Sequence, residues 1–510
     1  MTNPVRNILF IIADQWRGDT LGALGHPCVR TPNLDALAAD GVMFRNHYAQ
    51  ASPCGPARAS ILTGLYMFNH RQVANETPLD ASLPNLARIA RAAGHDPTLF
   101  GYTDTPLGPQ GSGAANWVCP GFTAAAPFLF SDGFAGWREF LAAQGHDLPD
   151  DSRRLFLPAG GLDPDDMTAP SFYAAEHSDT AYLADAALDY LRGRTAPWFV
   201  HFCCLRPHPP IVAPEPYNRM YDAGDMPLPA RPDTADTIGA QHPWTAWLID
   251  NQRLTEYFRR PIAPGDITAA HDRAMRATYY GNCTEVDAQI GRLISYLKET
   301  DQYDDTIIVF CSDHGDQFGD NWLYGRRGYF DGHFHVPCII RDPRPEADAA
   351  RGRIVDDFTE SVDLMPTILD ALGIAFTGQL DGRSLVPFLR GATPPDWRTE
   401  AHWELDFRDP VKRRAETEFG LPSDQCALAV IRGRRYKYVH FAALPPVLFD
   451  LAEDPGETRN LADDPAHAAV ARDYAQRLLS WRMRHERRAL TDYHQPYLGG
   501  TVQRYTEDRW

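Results

Sequence analysis

No run in this sequence approaches the about 20 consecutive apolar residues needed to cross a bilayer, so no transmembrane helix is expected. No secretory leader is expected either: the apolar run Ile8–Ala13 is too short and ends on Asp14. The 9 cysteines are odd in number, irregularly spaced and without a C-x-x-C pair. That excludes a disulfide framework and gives no sign of structural zinc. Cys203 and Cys204 adjoin in an expected strand and read as core. A reducing, cytoplasmic compartment suits such a chain. Positive charge is also short: 49 Lys and Arg against 67 Asp and Glu leave a net charge of −18. This argues against nucleic-acid and membrane partners. An anionic substrate must then be drawn in by local charge from a metal and arginines. Repeats and low-complexity runs are absent too.

What is present is a long chain of ordinary globular make-up, 510 residues with 44% hydrophobic and 23% charged. One large domain and a smaller one are expected. Asn7–Ala13 reads as a buried parallel strand that delivers Asp14 to its carboxyl end. Pro32–Ala39 reads as a helix with Gly41 just past it, Met43–Tyr48 as a strand, and Cys54 to about Leu65 as a helix. Further helices are expected at Leu83–Ala93, Ser171–Gly193, Ile267–Thr300 with a kink at Gly281, and Ser361–Leu372. Strands are expected at His95–Tyr102, Trp198–Leu205 and Thr306–Ser312. The alternation predicts an α/β fold: a large, mainly parallel sheet sandwiched by helices over 1–396, with insertions at about 106–165 and 206–266. From 397 to 490 the hairpin Ala427–Ile431 with Tyr436–Phe441, then a helix at Ala466–Arg487, predict a smaller antiparallel sheet carrying one helix. Residues 491–510 are aromatic without periodicity and read as a C-terminal arm. Such an arm suggests a homo-oligomer, a dimer or tetramer.

In an open α/β sheet, ligands bind outside the carboxyl ends of the strands. Asp14-Gln15 and Asp313-His314-Gly315-Asp316 both follow such ends, and Cys54 starts a helix, where free N–H groups favour an anion. Singly, each aspartate reads as a cap or turn residue. Together Asp14, Asp313 and His314, with Gln15 as a further candidate, make a hard-oxygen site with one nitrogen. That set suits Ca²⁺ or Mn²⁺, or Mg²⁺, better than structural zinc.

Cys54-Gly55-Pro56-Ala57-Arg58 fits C-x-P-x-R, the motif in which type I sulfatases have cysteine oxidised to formylglycine. Other motifs agree: Pro32–Ala38 with Gly41 and Phe44, Ser312–Asp316, and Leu448–Leu451 followed by Asp454, Pro455, Glu457 and Asn460–Ala462. The chain resembles the formylglycine-dependent sulfatases of the alkaline phosphatase superfamily over nearly its whole length. It looks most like the branch of phosphonate monoester hydrolases and neighbouring arylsulfatases, since Asp14-Gln15, Asp313-His314, Gly55 and Ala57 fit that branch.

The resemblance implies one divalent ion held by Asp14, residue 54, Asp313 and His314. It implies a formylglycine nucleophile whose hydrate has one hydroxyl to attack and another to expel product. Maturation then needs a formylglycine-generating enzyme as partner. Arg58 would orient residue 54, Asn75 and Tyr102 would contact substrate, and His208 would protonate the leaving oxygen. Two positions depart from the family. Arg326 stands where lysine is usual, and arginine keeps its charge but is a poor proton donor. Asp104 stands where threonine is expected; a carboxylate there repels an anion unless paired, with Arg326 the obvious partner.

The expected function is hydrolysis of sulfate monoesters, aryl ones above all, with promiscuous action on phosphonate monoesters and phosphodiesters. A chain that is primarily a phosphonate monoester hydrolase or phosphodiesterase is the near alternative. Two other readings are a two-zinc phosphatase, with Asp331 and His335 seeding a second site, and a catalytically silent binding protein. Trp117, Trp244 and Trp247 are expected to wall an aryl pocket.

Overall fold

The structure, a computed structural model, describes residues 5–487 except 76, 107–116, 159, 162–165, 195–196, 327, 377 and 410. Beyond 487 it describes only the backbone of 493–494 and 503–504, which pair antiparallel. The expected arm at 491–510 otherwise lies outside the described residues.

The main sheet has eight strands: β1 (Asn7–Ala13), β2 (Val42–Tyr48), β3 (Pro97–Gly101), β4 (Thr123–Pro127), β5 (Phe199–Cys204), β6 (Thr306–Cys311), β7 (Cys338–Arg341) and β8 (Arg353–Glu360). Their order is β4-β3-β5-β1-β6-β7-β2-β8. Every neighbour pair is parallel except β6–β7 and β7–β2, so β7 alone runs against the rest. β1, β5 and β6 are buried at every position, as their unbroken apolar runs require when helices cover both faces. β4 comes from the stretch expected to be an insertion and forms one edge of the sheet, β8 the other.

Helices 32–39, 179–192 and 269–299 pack as one group, and helices 54–63, 86–92 and 364–371 as another. The helix expected from Ser171 begins only at Asp179. Ser178 is its true cap, with Oγ accepting from Ala181 N at 3.0 Å. The helix Ala269–Glu299 runs unbroken through Gly281. That glycine serves close approach instead of a kink: a Cβ there would lie 2.1 Å from the Tyr217 carbonyl oxygen.

The second sheet is antiparallel, in the order β12-β11-β10-β9, from β9 (Ala401–Asp406), β10 (Ala427–Arg432), β11 (Tyr436–Phe441) and β12 (Val447–Asp450). Its two faces follow the period of two. Ile431, Tyr438 and Leu448 pack under helix 468–485 through Tyr474, Leu478 and Trp481. Val430, Val439 and Phe449 face the main domain through Trp244, Tyr329 and Phe334. Trp244 is therefore core, stacked on Tyr329, and Trp247 lies against Phe419. Trp117 packs on the main core. The expected tryptophan wall does not form from Trp244 and Trp247.

Candidate active site

Five parallel strands deliver their carboxyl ends to one place. Ala13 pairs with Cys204 and Ile12 with Cys311, so β5, β1 and β6 end level. Asp14 and Gln15 follow β1, Tyr102 and Asp104 follow β3, His208 follows β5, and Asp313 and His314 follow β6. The chain leaving β2 turns into helix Cys54–Thr63, which is buried along its whole length. Positions 54 and 58 share a face one turn apart. Gly55 N donates to Asn75 Oδ1 at 3.0 Å, so Asn75 holds the start of this helix. A Cβ at Gly55 would lie 2.6 Å from Gln72 Nε2 and 2.8 Å from the Asp104 carbonyl oxygen, so only glycine fits.

At the centre, ligand atoms of Asp14, Cys54, Asp313 and His314 all lie within 4.8 Å of one another, and all four residues are buried. Cys54 Sγ is 3.3 Å from His314 Nε2 and 3.8 Å from Asp14 Oδ1. His314 Nδ1 donates to the Gly315 carbonyl at 3.0 Å, which leaves the Nε2 lone pair facing inward. Arg58 braces the two carboxylates from behind: Nε donates to Asp313 Oδ2 at 2.9 Å and Nη2 to Asp14 Oδ2 at 3.0 Å. It also donates to the Tyr102 carbonyl and the Cys203 sulfur. The Tyr102 hydroxyl donates to Asp14, and the Tyr102 ring lies under the guanidinium at 4.2 Å.

Burial opposes ionisation at Asp14, Asp313, Cys54 and Arg58. At Asp14 the surroundings, the imidazoles of His208 and His314 and the guanidinium charges of Arg58 and Arg326, outweigh it and hold the carboxyl well below the usual range. Asp313 is pushed up, by burial and then by the negative charge of Asp14. One guanidinium does not neutralise two buried carboxylates, and a divalent cation would. The donor set fits one: two carboxylates, an inward imidazole lone pair and the group at 54. The Gln15 amide nitrogen is pinned by Asp316 and by Tyr257 Oη at 2.9 Å, so its oxygen is the end left for an ion. Burial, with Asp14, Asp313 and Asp104, also pushes the Cys54 thiol far up, against Arg326. An unmodified thiol here stays protonated and is a poor nucleophile.

On the open side, Arg326 Nη1 reaches Cys54 Sγ and His208 Nε2, each at 2.8 Å. His208 Nδ1 donates to the Pro209 carbonyl, which turns Nε2 toward the site. Burial, then Arg326, push His208 down to about 3 against the pull of Asp14, so its imidazole is neutral. Asp104 has a left-handed backbone, φ 51°, and burial pushes its carboxyl up to about 6 against Arg58 and Arg326. Its expected pairing with Arg326 is not found: among the described residues no ion pair joins the two.

The sulfatase family model matches residues 6–374. The chain belongs to the sulfatase family. A second model, N-sulphoglucosamine sulphohydrolase, C-terminal, matches 319–484. The sulfatase is 44% identical to the multifunctional alkaline phosphatase superfamily protein PehA of Trinickia caryophylli, over 98% of this chain and 99% of that one. It is 29% identical to an arylsulfatase of Clostridium perfringens, over 95% and 96% of the two chains. The phosphonate monoester hydrolase of Agrobacterium radiobacter superposes with a TM-score of 0.92 at 43% identity, over 99% and 100% of the chains. That of Silicibacter pomeroyi gives 0.90 at 41%, over 98% and 100%. The sulfatase is thus a hydrolase of the alkaline phosphatase superfamily.

Several residues of the sulfatase site carry no role in the sequence reading. Asp316 accepts from Gln15 and Tyr257 through Oδ2, and from Phe318 N and Gly325 N through Oδ1. It therefore ties Gln15 to the loop that carries Arg326. Ser312 Oγ accepts from Trp16 N at 2.9 Å and donates to the His314 carbonyl at 2.8 Å, locking the two strand exits together. The D-H-G-D run is the signal for Asp316; nothing local marks Tyr257. Asp331 and His335 make no second metal site. Asp331 is ion-paired with Lys437 and Arg432, and His335 Nε2 is bound to the Arg45 carbonyl. No helix among the described residues is long and apolar enough to cross a membrane.

Proposed function

We propose that this sulfatase hydrolyses singly charged esters of tetrahedral oxyacids, phosphonate monoesters foremost, with sulfate monoesters and phosphodiesters as further substrates. The observation that carries the reading is the place of residue 54. It lies between the Asp14, Asp313, His314 cluster and the paired Arg326 and His208. The full-length relatives named as phosphonate monoester hydrolases, at 43% and 41% identity, weigh more than the arylsulfatase at 29%. That reverses the order expected from the sequence, which places sulfate monoesters first.

Oxidation of Cys54 to formylglycine would supply a hydrated aldehyde, with one hydroxyl to attack and one to release product. A divalent ion held by Asp14, Asp313, His314, the group at 54 and the Gln15 oxygen would supply Lewis-acid charge. The protein's own residues do the rest. Arg58 keeps both carboxylates oriented, and Asn75 holds the helix start that presents residue 54. Arg326 stabilises the charge on the ester's oxygens. An anionic ester seated between Arg326 and His208 brings the negative charge that raises the His208 pKa, readying Nε2–H for the leaving oxygen. Asp104, with no ion pair to Arg326, disfavours the extra charge of a phosphate monoester dianion.

The test is kcat/KM on matched 4-nitrophenyl esters of phenylphosphonate, sulfate, a phosphate diester and phosphate. The phosphonate is expected to lead and the phosphate monoester to trail. A leading sulfate restores the arylsulfatase order, and a leading phosphate monoester overturns the charge argument.

A further inference from the structure

The His208 loop has a scaffold of its own. Arg206 is only 2% exposed and turns back beneath the loop. Its Nη1 donates to the Pro210 carbonyl at 2.8 Å and the His208 carbonyl at 3.4 Å. His208 Nδ1 takes the carbonyl between them, that of Pro209. Three successive carbonyl oxygens are thus bonded, and two of those bonds come from one guanidinium. The remaining edge of Arg206 is anchored: Nη2 donates to the Tyr173 hydroxyl at 3.2 Å, and Nε faces Asp179 Oδ1 at 3.5 Å. Asp179 is 1% exposed and is the first residue of helix 179–192, whose Ser178 cap is itself bonded to Glu285 at 2.7 Å. The loop therefore hangs from the start of a packed helix and not from the strand alone.

We propose that Arg206, held by Asp179, is a positioning residue for leaving-group protonation. It clamps the 208–210 backbone so that the His208 ring presents Nε2 to the leaving oxygen. A proton donor contributes only when it is within hydrogen-bond reach, and a displacement of about 1 Å costs on the order of 100-fold. Lysine at 206 keeps a charge, but its single nitrogen cannot reach the loop carbonyls and the Tyr173 and Asp179 anchor at once, as the separate nitrogens of arginine do. The inference rests on the role proposed for His208.

The experiment uses full-length protein whose residue 54 is shown by mass to be converted, with phenylphosphonate esters of 4-nitrophenol and phenol. For Arg206→Lys, kcat on the 4-nitrophenyl ester should stay within about threefold. On the phenyl ester it should fall by about 10- to 100-fold, with KM little changed. Asp179→Asn should show the same split more weakly. Equal losses on both esters, or none on either, overturn the proposal. Should Arg206→Lys not fold, Asp179→Asn carries the same comparison, and an equal loss there overturns it. His208→Ala separates the two levels. If it does not split the esters, the reading of His208 fails; if it does while the Arg206 and Asp179 variants do not, only the positioning role fails.

Discussion

Arg326 Nη1 lies 2.8 Å from Cys54 Sγ. The same nitrogen lies 2.8 Å from His208 Nε2, so one cation bridges the nucleophile position and the expected proton donor. The sulfur stands in for an oxygen of the formylglycine proposed at residue 54. A substrate oxyanion entering this gap replaces both contacts and gains the charge of Arg326 in a buried setting, where it counts most.

Conversion of Cys54 is the first expectation. Intact-peptide mass should show residue 54 lighter by about 18 Da before hydration, since the change is a covalent modification. Cys54→Ala should fold normally and lose several orders of magnitude in turnover. Wild-type rates on phenylphosphonate and sulfate esters in that variant would falsify the mechanism.

One divalent ion per chain should be found by metal analysis of the active protein. Chelation should abolish turnover and lower Tm, because Asp14 and Asp313 then face each other with Arg58 alone between them. Asp313→Asn should weaken binding of the ion. Two zinc ions per chain, with activity restored by zinc only, would point to the phosphatase reading.

His208→Ala should harm poorly activated esters by about 100- to 10,000-fold and spare 4-nitrophenyl esters, because a good leaving group needs no proton. A Brønsted series over substituted phenols reads this directly: the leaving-group slope must steepen.

Asp104 should leave its mark on pH dependence. Its carboxyl is pushed up to about 6, so below that pH it is neutral and above it repels an anion. KM for a phosphonate monoester, singly charged throughout, should rise as pH passes through about 6. Asp104→Asn should remove the inflection; asparagine also tolerates the left-handed backbone. Stability gives a second readout. A raised folded pKa means stability is lost as pH climbs from the unfolded value, about 4, to about 6. Asp104→Asn should thus raise Tm at pH 7 and leave it unchanged below pH 4. A pH profile identical to wild type sinks the assignment.

Lys437 is wholly buried in the second sheet, 3.1 Å from Asp331 Oδ1 and paired also with Glu457. Burial pushes it down to about 8 against Asp331. Lys437→Met strands the buried Glu457 carboxylate, while Asp331 keeps Arg432, and should cost about 3–5 kcal/mol in chemical denaturation. A loss under about 1 kcal/mol would show that the cluster repacks or hydrates.

Much of the centre is legible along the chain because its chemistry is local. An apolar run that ends in aspartate marks a strand exit, which Asp14 and Asp313 both occupy. A C-x-P-x-R run at a helix start puts Cys54 and Arg58 one turn apart whatever the rest of the fold does. The parallel sheet follows from strands buried on both faces. Other features are decided only by packing. β1 pairs with strands some 190 and 300 residues away, and no local pattern states that order. Edge strand β4 and the reversed β7 are too short to stand out. Trp244 looks like a substrate wall until the second sheet closes over it. Asp104 and Arg326 look like partners until the backbone at 104 turns left-handed and no ion pair joins them. Asp316 with Tyr257, and Arg206 with Asp179, join side chains 59 and 27 residues apart. The sequence by itself determines which groups the site contains, since ligand type and strand or helix exit are written within a few residues. Only the tertiary structure decides which of those groups meet, which cation serves which carboxylate and which proton is available. Distance and burial set those energies, and both are properties of the packed chain.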